Sequence, residues 1–147
     1  CTRLCYVELL SKSNSATTTK AFFNGYKWFH LHGINIEEVL TDNGPEFTCY
    51  TSKKARDTHF FETMLSIIGI KHRYTRPYRP QTNGKIERFW KTINNECIYI
   101  QNKTKTEQEF IAELNGFMYK YNYQRRHSSL KYITPLDRLK SVTEIMK

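Results

Sequence analysis

The sequence lacks the marks of a membrane or secreted protein. None of its apolar runs approaches the roughly 20 residues of a membrane-spanning helix, and its first residues do not follow the charged, apolar and small-residue order of a signal peptide. Only 4 of its 147 residues are cysteines, and no two of them form the C-x-x-C pair typical of zinc and redox sites. We therefore expect an intracellular protein with reduced cysteines and no membrane partner.

The motifs of three large enzyme classes are missing as well. The chain has no glycine-rich phosphate loop, no G-x-S-x-G elbow and no H-E-x-x-H pair. The sequence thus gives no support to an NTPase, an α/β-hydrolase or a metalloprotease.

Acidic residues are scarce, and the excess of basic ones is unevenly distributed. The chain has 23 Lys and Arg against 14 Asp and Glu, a formal net charge of +9. Basic side chains gather at 71–91 and again at 120–140, interleaved with aromatic residues. This pattern is typical of a nucleic-acid-binding surface. The alternative is a solvated basic surface on a structural module that has no nucleic-acid role.

The hydrophobic pattern predicts a single α/β domain. Hydrophobic residues make up 39% of the chain and aromatic residues 14%, enough to bury a core. Short β-prone runs alternate with segments whose apolar residues recur at helical spacing. The predicted strands are residues 3–10, 36–41 and 71–75. The predicted helices are residues 17–31, 60–68, 83–100, 106–121 and 136–146. Thr106 and Glu109 resemble a capping box for the helix 106–121. The helix 83–100 carries one apolar stripe, formed by Ile86, Phe89, Trp90, Ile93 and Cys97.

Asp42 is the first candidate for chemistry. It directly follows the predicted strand 36–41 and precedes Asn43-Gly44-Pro45. In α/β folds, functional groups commonly lie at the carboxyl ends of strands. The alternative is an ordinary turn, because Asp-Asn-Gly is also a common turn sequence. Asn43 itself either orients Asp42 or serves the turn.

Glu87 is the second candidate, because it is the only acid among seven basic residues between 71 and 91. A lone carboxylate weakens phosphate binding unless a cation such as Mg²⁺ bridges it to the phosphate oxygens. The alternative is a surface ion pair with Lys91, four residues later on the same helix.

Three separated motifs stand out in the chain. Residues 41–47 read TDNGPEF, residues 78–88 read YRPQTNGKIER, and the tail carries YN at 121–122, HSSL at 127–130 and TP at 134–135. Together and in this order, they resemble the catalytic core of retroviral integrases and bacterial insertion-sequence transposases. The resemblance implies a ribonuclease H-like fold with a C-terminal helical extension. Residues 1–140 would form this catalytic core, and residues 141–147 its C-terminal tail.

The resemblance also implies a reaction, a cofactor and a site. Members of this family are polynucleotidyl transferases that cleave DNA and join a 3′-hydroxyl to a target strand, using two Mg²⁺ or Mn²⁺ ions held by a D, D, E triad. Asp42 then corresponds to the second acid and Glu87 to the third. Polar and basic residues of the motifs are the expected DNA contacts. They are Asn43, Arg79, Gln81, Asn83, Lys85, Arg88 and Lys91.

Two departures from the family pattern bear on activity. The family's first Asp precedes the stretch that residues 1–10 resemble, so we expect this chain, which begins with Cys1, to lack that Asp and two strands, and to be inactive alone. In addition, 44 residues separate Asp42 from Glu87, more than in retroviral integrases; the excess fits the polar loop 48–58. The alternative function is a catalytically inactive DNA-binding remnant of a mobile element.

The resemblance finally implies where and with what the protein acts. We expect DNA ends and target DNA as partners, a homo-oligomer in the full-length protein, and a location in the bacterial cytoplasm at the nucleoid.

Overall fold

Helices alternate with two short strands along the chain. A computed structural model describes residues 1–49, 51–75, 84–98 and 106–145. Its regular elements are α1 (Ser15–Leu31), β1 (Glu38–Thr41), α2 (Lys53–Asp57), α3 (Phe60–Ile67), β2 (Lys71–Tyr74), α4 (Gly84–Ile93), α5 (Glu107–Tyr119) and α6 (Pro135–Ile145). The predicted α/β class is confirmed. Of the helices described, none combines the length and apolar character needed to cross a bilayer.

The chain divides into two compact units. Residues Glu8–Lys85 form one, called here the sheet unit; Cys1–Val7 together with Ile86–Lys147 form the other, called the helical unit. Helix α6 runs across position 140, where the sequence predicts the end of the core.

Two parallel strands define the sheet unit. β1 and β2 pair in register from Glu38 opposite Lys71 to Thr41 opposite Tyr74. A parallel pair needs a crossover connection, and α2 and α3 lie within it in the chain. The apolar residues of the predicted helix 60–68 do form a helix, α3, whose Phe61 is completely buried.

Phe61 is the centre of the sheet unit's core. Leu65 and Ile70 are buried beside it. The rings of Phe22 and Phe47 meet Phe61 edge-on, with centroids 5.2 Å and 5.1 Å away. Edge-to-face pairs at this distance add stabilisation beyond the area that they bury.

Helix α1 begins and ends at residues with identifiable roles. Asn14 caps its N-terminus in a capping box with Thr17, so the helix starts at Ser15, slightly before the predicted start. After its last residue, Leu31, Gly33 adopts a left-handed conformation with φ of +74°, which glycine reaches at little cost.

The helical unit has a separate core. Phe89, Ile93 and Cys97 lie on one face of α4 and the π-helical turn that follows it, Asn94–Ile98. They pack with three buried residues from α5 and the π-helical turn after it: Leu114, Met118 and Tyr121. The predicted capping box of Thr106 and Glu109 at the start of α5 is confirmed.

The sequence predicts more buried positions along α4 than the structure has. Ile86 is 54% exposed and Trp90 is 47% exposed, although both fit the helical spacing. The buried positions Phe89, Ile93 and Cys97 are spaced by four residues, so only a narrow stripe meets α5. Of the predicted helix 83–100, the ends at 83 and 99–100 lie outside the described residues.

The predicted strand 3–10 is wrong. The segment has no regular secondary structure and pairs with no described strand, and Arg3 has a positive φ of 58°. The side chain of Asn122, which is buried, occupies the place of a neighbouring strand. Its Oδ1 accepts from the Cys5 N–H at 3.0 Å, and its Nδ2 donates to the Cys5 carbonyl at 2.8 Å.

None of the four cysteines forms a disulfide in the structure, and their environments differ. Burial raises the pKa of Cys5 to about 11, whereas hydrogen bonds from Thr51 lower the pKa of Cys49. Because the thiolate is the reacting species, we expect Cys5 to be alkylated at pH 8 at least about a hundred-fold more slowly than Cys49. Iodoacetamide labelling followed by peptide mass spectrometry measures both rates. Equal rates would contradict the burial of Cys5.

Candidate active site

Asp42 lies in the sheet unit, immediately after the last residue of β1. The residue is exposed, and its Oδ1 accepts a hydrogen bond from the Gly44 N–H at 3.1 Å. The amide Nδ2 of Asn43 donates to the Thr75 carbonyl at 3.2 Å, just beyond β2. Asn43 therefore ties the turn to the second strand, and the turn presents the Asp42 carboxylate at the strand end, open to solvent.

A chain of hydrogen bonds supports this strand end from below. The Thr41 hydroxyl donates to the Asp42 carbonyl at 2.7 Å, and its oxygen lies 2.8 Å from Nε2 of His72. Nδ1 of His72 lies 2.9 Å from the Glu62 carboxylate. The Tyr74 hydroxyl donates to the same carboxylate. The network joins β1, β2 and α3 directly beneath the backbone of Asp42.

The network is shielded from solvent. The side chain of His72 is 5% exposed and that of Glu62 is 19% exposed. Burial, followed by the hydrogen bond to Glu62, raises the pKa of Tyr74, so its phenol stays protonated as a donor. Hydrogen bonds to a charged group in such surroundings are stronger than those at the surface.

Replacing His72 by Leu is expected to lower the free energy of unfolding by about 2–3 kcal/mol, because the mostly buried Glu62 carboxylate loses one of its two hydrogen-bond partners. The matched control is Arg73→Ala, which removes the neighbouring ion pair between Arg73 and Glu38. Both of these side chains are more than a third exposed, so we expect a loss below about 1 kcal/mol. Urea unfolding of the two variants measures the difference. Equal losses would show that the network adds little stability.

Glu87 lies in the first turn of α4, and its side chain is exposed. Lys85, Arg88 and Lys91 are exposed along the same helix, while Phe89 turns into the core. Within the described part of the chain Glu87 forms no ion pair, so the alternative pair with Lys91 is not made. Among the described residues, no cation is paired with the Glu87 carboxylate, which therefore has oxygens available as metal ligands.

The remaining predicted site residues precede α4 in the chain. Arg79, Gln81 and Asn83 lie outside the described residues. Among the residues that are described, no three or more His, Cys, Asp or Glu side chains gather closely enough to hold a metal ion. Asp42 and Glu87 offer carboxylate oxygens, the ligands that Mg²⁺ prefers.

Two structural polar groups were not predicted to matter. The Glu62–His72 pair is one, although the alternation of His72 and Tyr74 along β2, which puts both rings on one face, was a usable signal. Asn122 is the other, and nothing in its local sequence indicates a bond to Cys5. His127, the first residue of the HSSL motif, packs its ring edge-on against Tyr121 with centroids 4.7 Å apart.

Comparison with known sequences gives a consistent assignment. Residues 68–135 match the family described as integrase core domain. The chain is 32% identical over 142 residues to the integrase-type ORF3 product of Spiroplasma virus SpV1-C74, covering 94% of this chain and 38% of that protein. It is 36% identical over 105 residues to the transposase InsD of insertion element IS2 of Escherichia coli, covering 70% of this chain and 31% of that one. The chain thus spans about a third of the length of these relatives.

Comparison with solved structures supports the predicted fold. The catalytic core domain of BIV integrase superposes with a TM-score of 0.66 and 19% identity, over 95% of this chain and 80% of that one. A chain in the structure of the simian T-cell lymphotropic virus intasome with PP2A regulatory subunit B56 gamma gives a TM-score of 0.60 and 16% identity, over 88% of this chain and 41% of that one. The ribonuclease H-like fold is confirmed.

Proposed function

We propose that this chain, an integrase/transposase catalytic core by its sequence and its fold, takes part in metal-dependent cleavage and strand transfer of DNA. The main support for the proposal is the environment of the Glu87 carboxylate. It is an exposed carboxylate, among exposed cations, with no ion-pair partner among the described residues. The relatives named above are an integrase and a transposase, and the proposal extends their reaction class to this chain.

Mg²⁺ or Mn²⁺ is the cofactor that the site residues fit. Asp42 and Glu87 are the proposed ligands. A bound divalent ion supplies polarisation of the phosphodiester and activation of an attacking hydroxyl. The chain's own contribution is positional: the Gly44 N–H fixes one oxygen of Asp42 at the end of β1, and the Thr41–His72–Glu62 network holds that strand end.

DNA is the proposed substrate, held mainly through its phosphates. Lys85, Arg88 and Lys91 are exposed and supply the charge; such contacts fix the position of the duplex without reading its sequence. Asn43, Arg79, Gln81 and Asn83 are proposed as further polar contacts. Residues 1–140 form the proposed core and residues 141–147 its tail.

The assembly and location follow from this chemistry. Joining two DNA ends to one target needs more than one copy of the core, and we propose a homo-oligomer of the full-length protein. Its place would be the bacterial cytoplasm at the nucleoid, where the DNA lies. An inactive DNA-binding remnant is the competing function, because no group of three metal-ligand side chains is found among the described residues.

The test uses the protein that carries this chain and a labelled DNA fragment with its element ends. We expect strand cleavage with Mg²⁺ or Mn²⁺ and none with EDTA. Binding without cleavage under any divalent ion would identify the inactive remnant. No binding at low salt would refute both functions.

The salt dependence of DNA affinity distinguishes phosphate contacts made by particular residues from a general effect of the chain's positive charge. Removing Lys85, Arg88 and Lys91 together by alanine substitution is expected to flatten the plot of log affinity against log salt by about 2–3 units of slope. The matched control is Lys20→Ala, an exposed lysine on α1. The loss of affinity in the control is compared with one third of the loss in the triple variant. If the two are equal, Lys85, Arg88 and Lys91 are not the DNA contact.

A further inference from the structure

A turn in the helical unit holds two consecutive non-glycine residues in a left-handed conformation. Lys131 has φ of 58° and Tyr132 has φ of 61°. Side chains with a Cβ pay about 1 kcal/mol or more each for this region. Backbone strain of this kind persists only where the surrounding structure imposes it, and it is concentrated at functional sites. We call residues 127–133 the tyrosine turn.

Hydrogen bonds and buried anchors hold the tyrosine turn in place. The His127 N–H donates to the Ile133 carbonyl at 3.1 Å, and the Tyr132 N–H donates to the His127 carbonyl at 3.0 Å. Leu130 and Thr134 are buried inside and just after the turn. Burial lowers the pKa of His127, so its ring packs against Tyr121 as a neutral group. The turn is therefore preformed before any ligand arrives.

The tyrosine turn presents an aromatic ring to solvent. Tyr132 is 69% exposed, the most exposed aromatic side chain among the described residues. Its ring stacks on no other described ring, unlike Tyr119, which stacks on Tyr123 at 4.9 Å. The strain therefore does not serve the packing of Tyr132 within the unit. Its visible effect is to hold a large planar group away from the protein.

The sequence on both sides of Tyr132 is strongly basic. Residues 119–140 contain six Lys and Arg against one acid, Asp137. Lys120, Arg126, Lys131 and Lys140 are exposed. Asp137 is engaged by the Thr134 hydroxyl at 2.7 Å, a bond that lowers its pKa. A ligand for this surface has to be anionic and has to offer a flat face.

We infer that the tyrosine turn is a second DNA contact, in which Tyr132 stacks on an unpaired base while Lys131 and Arg126 bind the adjoining phosphates. Aromatic stacking on bases tolerates any sequence and needs a base outside the duplex stack. Unpaired nucleotides arise at frayed or cleaved DNA ends, the substrate of the proposed function. The inference rests on that function, since it requires the chain to bind DNA.

The test measures affinity for three fluorescent oligonucleotides: a blunt duplex, a duplex with a three-nucleotide unpaired end, and oligo-dT. Tyr132→Ala is expected to weaken binding of the two unpaired substrates about five- to a hundred-fold, while blunt-duplex binding changes less than about twofold. Tyr132→Phe keeps the ring and should restore wild-type affinity. The wild type should also quench 2-aminopurine placed in the unpaired end, and Tyr132→Ala should not.

The slope of log affinity against log salt concentration distinguishes base stacking by Tyr132 from phosphate binding by Arg126 and Lys131. Tyr132→Ala should leave the slope for oligo-dT unchanged, whereas Arg126→Ala and Lys131→Ala should each reduce it by about 0.7. Lys131→Gly should bind as Lys131→Ala does and be the more stable of the two, since glycine accepts the positive φ. This pair keeps a folding defect separate from a loss of contact.

Two results would overturn the inference. One is equal weakening of blunt and unpaired substrates by Tyr132→Ala; the other is no weakening of either. Both leave the proposed function intact provided that the wild type still binds and cleaves DNA. Failure of the wild type to bind any of the three substrates would instead remove the proposed function itself. If Tyr132 binds a protein partner instead of DNA, every variant should bind DNA as the wild type does.

Discussion

Asp42→Asn and Glu87→Gln are each expected to reduce Mg²⁺-dependent DNA strand transfer by about a thousand-fold or more, equivalent to about 4 kcal/mol of transition-state stabilisation. Each substitution exchanges a carboxylate for a neutral amide of the same shape. The Asn at 42 still offers an oxygen to the Gly44 N–H, so the turn persists. The loss therefore falls on metal affinity and on the reaction rather than on the fold.

The measurement is a strand-transfer assay on the protein that carries this chain, with DNA affinity measured in parallel. DNA binding should stay within about threefold of the wild type, because removing a negative charge does not weaken phosphate contacts. Asp57→Asn is the matched control, since Asp57 is an exposed acid on α2 outside the motifs. Full activity in either site variant, or an equal loss in the control, would reject the assignment of the two ligands.

Phe61→Ala should be the most destabilising single truncation in the sheet unit, at about 3–5 kcal/mol. The side chain is completely buried, and Phe22, Phe47 and His72 surround it edge-on. Removing the ring leaves a cavity, because its neighbours are held in place by the elements that carry them and cannot move in to fill the space. Because Phe61 also touches His72, the network beneath Asp42 should loosen as well.

The chain supplies its own control for this experiment. Phe60 precedes Phe61 on α3 but is 61% exposed, so Phe60→Ala removes the same atoms without opening a cavity. Its cost should stay below about 1 kcal/mol. Urea denaturation followed by tryptophan fluorescence compares the two. A cost for Phe60→Ala as large as that for Phe61→Ala would mean that α3 is rotated from the orientation described.

Local sequence patterns predicted much of the fold. The apolar spacing along α3 and the capping box at Thr106 were sufficient to locate helices, since both signals are local. The strand prediction for residues 3–10 was wrong for a different reason. Its β-prone residues are compatible with a sheet, but the partner is a side chain, Asn122, separated by 117 residues. No local pattern reports a contact at that distance.

The candidate site was only partly predictable. Asp42 was chosen for its place after a predicted strand and Glu87 as the one acid in a basic stretch, and the structure finds both exposed. The support under Asp42 was not foreseen, because the Thr41–His72–Glu62 network joins three elements and depends on how their faces meet. The exposure of Trp90 was missed because helical spacing does not reveal how wide the contact with α5 is.

The bond between Asn122 and Cys5 has a consequence for the order in which the chain folds during synthesis. The sheet unit is one continuous stretch of the chain, whereas the helical unit joins Cys1–Val7 to Ile86–Lys147. Translation proceeds at about 5–20 residues per second, so Cys5 waits at least several seconds for Asn122. Cys1–Val7 therefore reach their final place only after the whole sheet unit has been synthesised. A nascent chain stopped before residue 122 would leave its first seven residues accessible to proteases and chaperones.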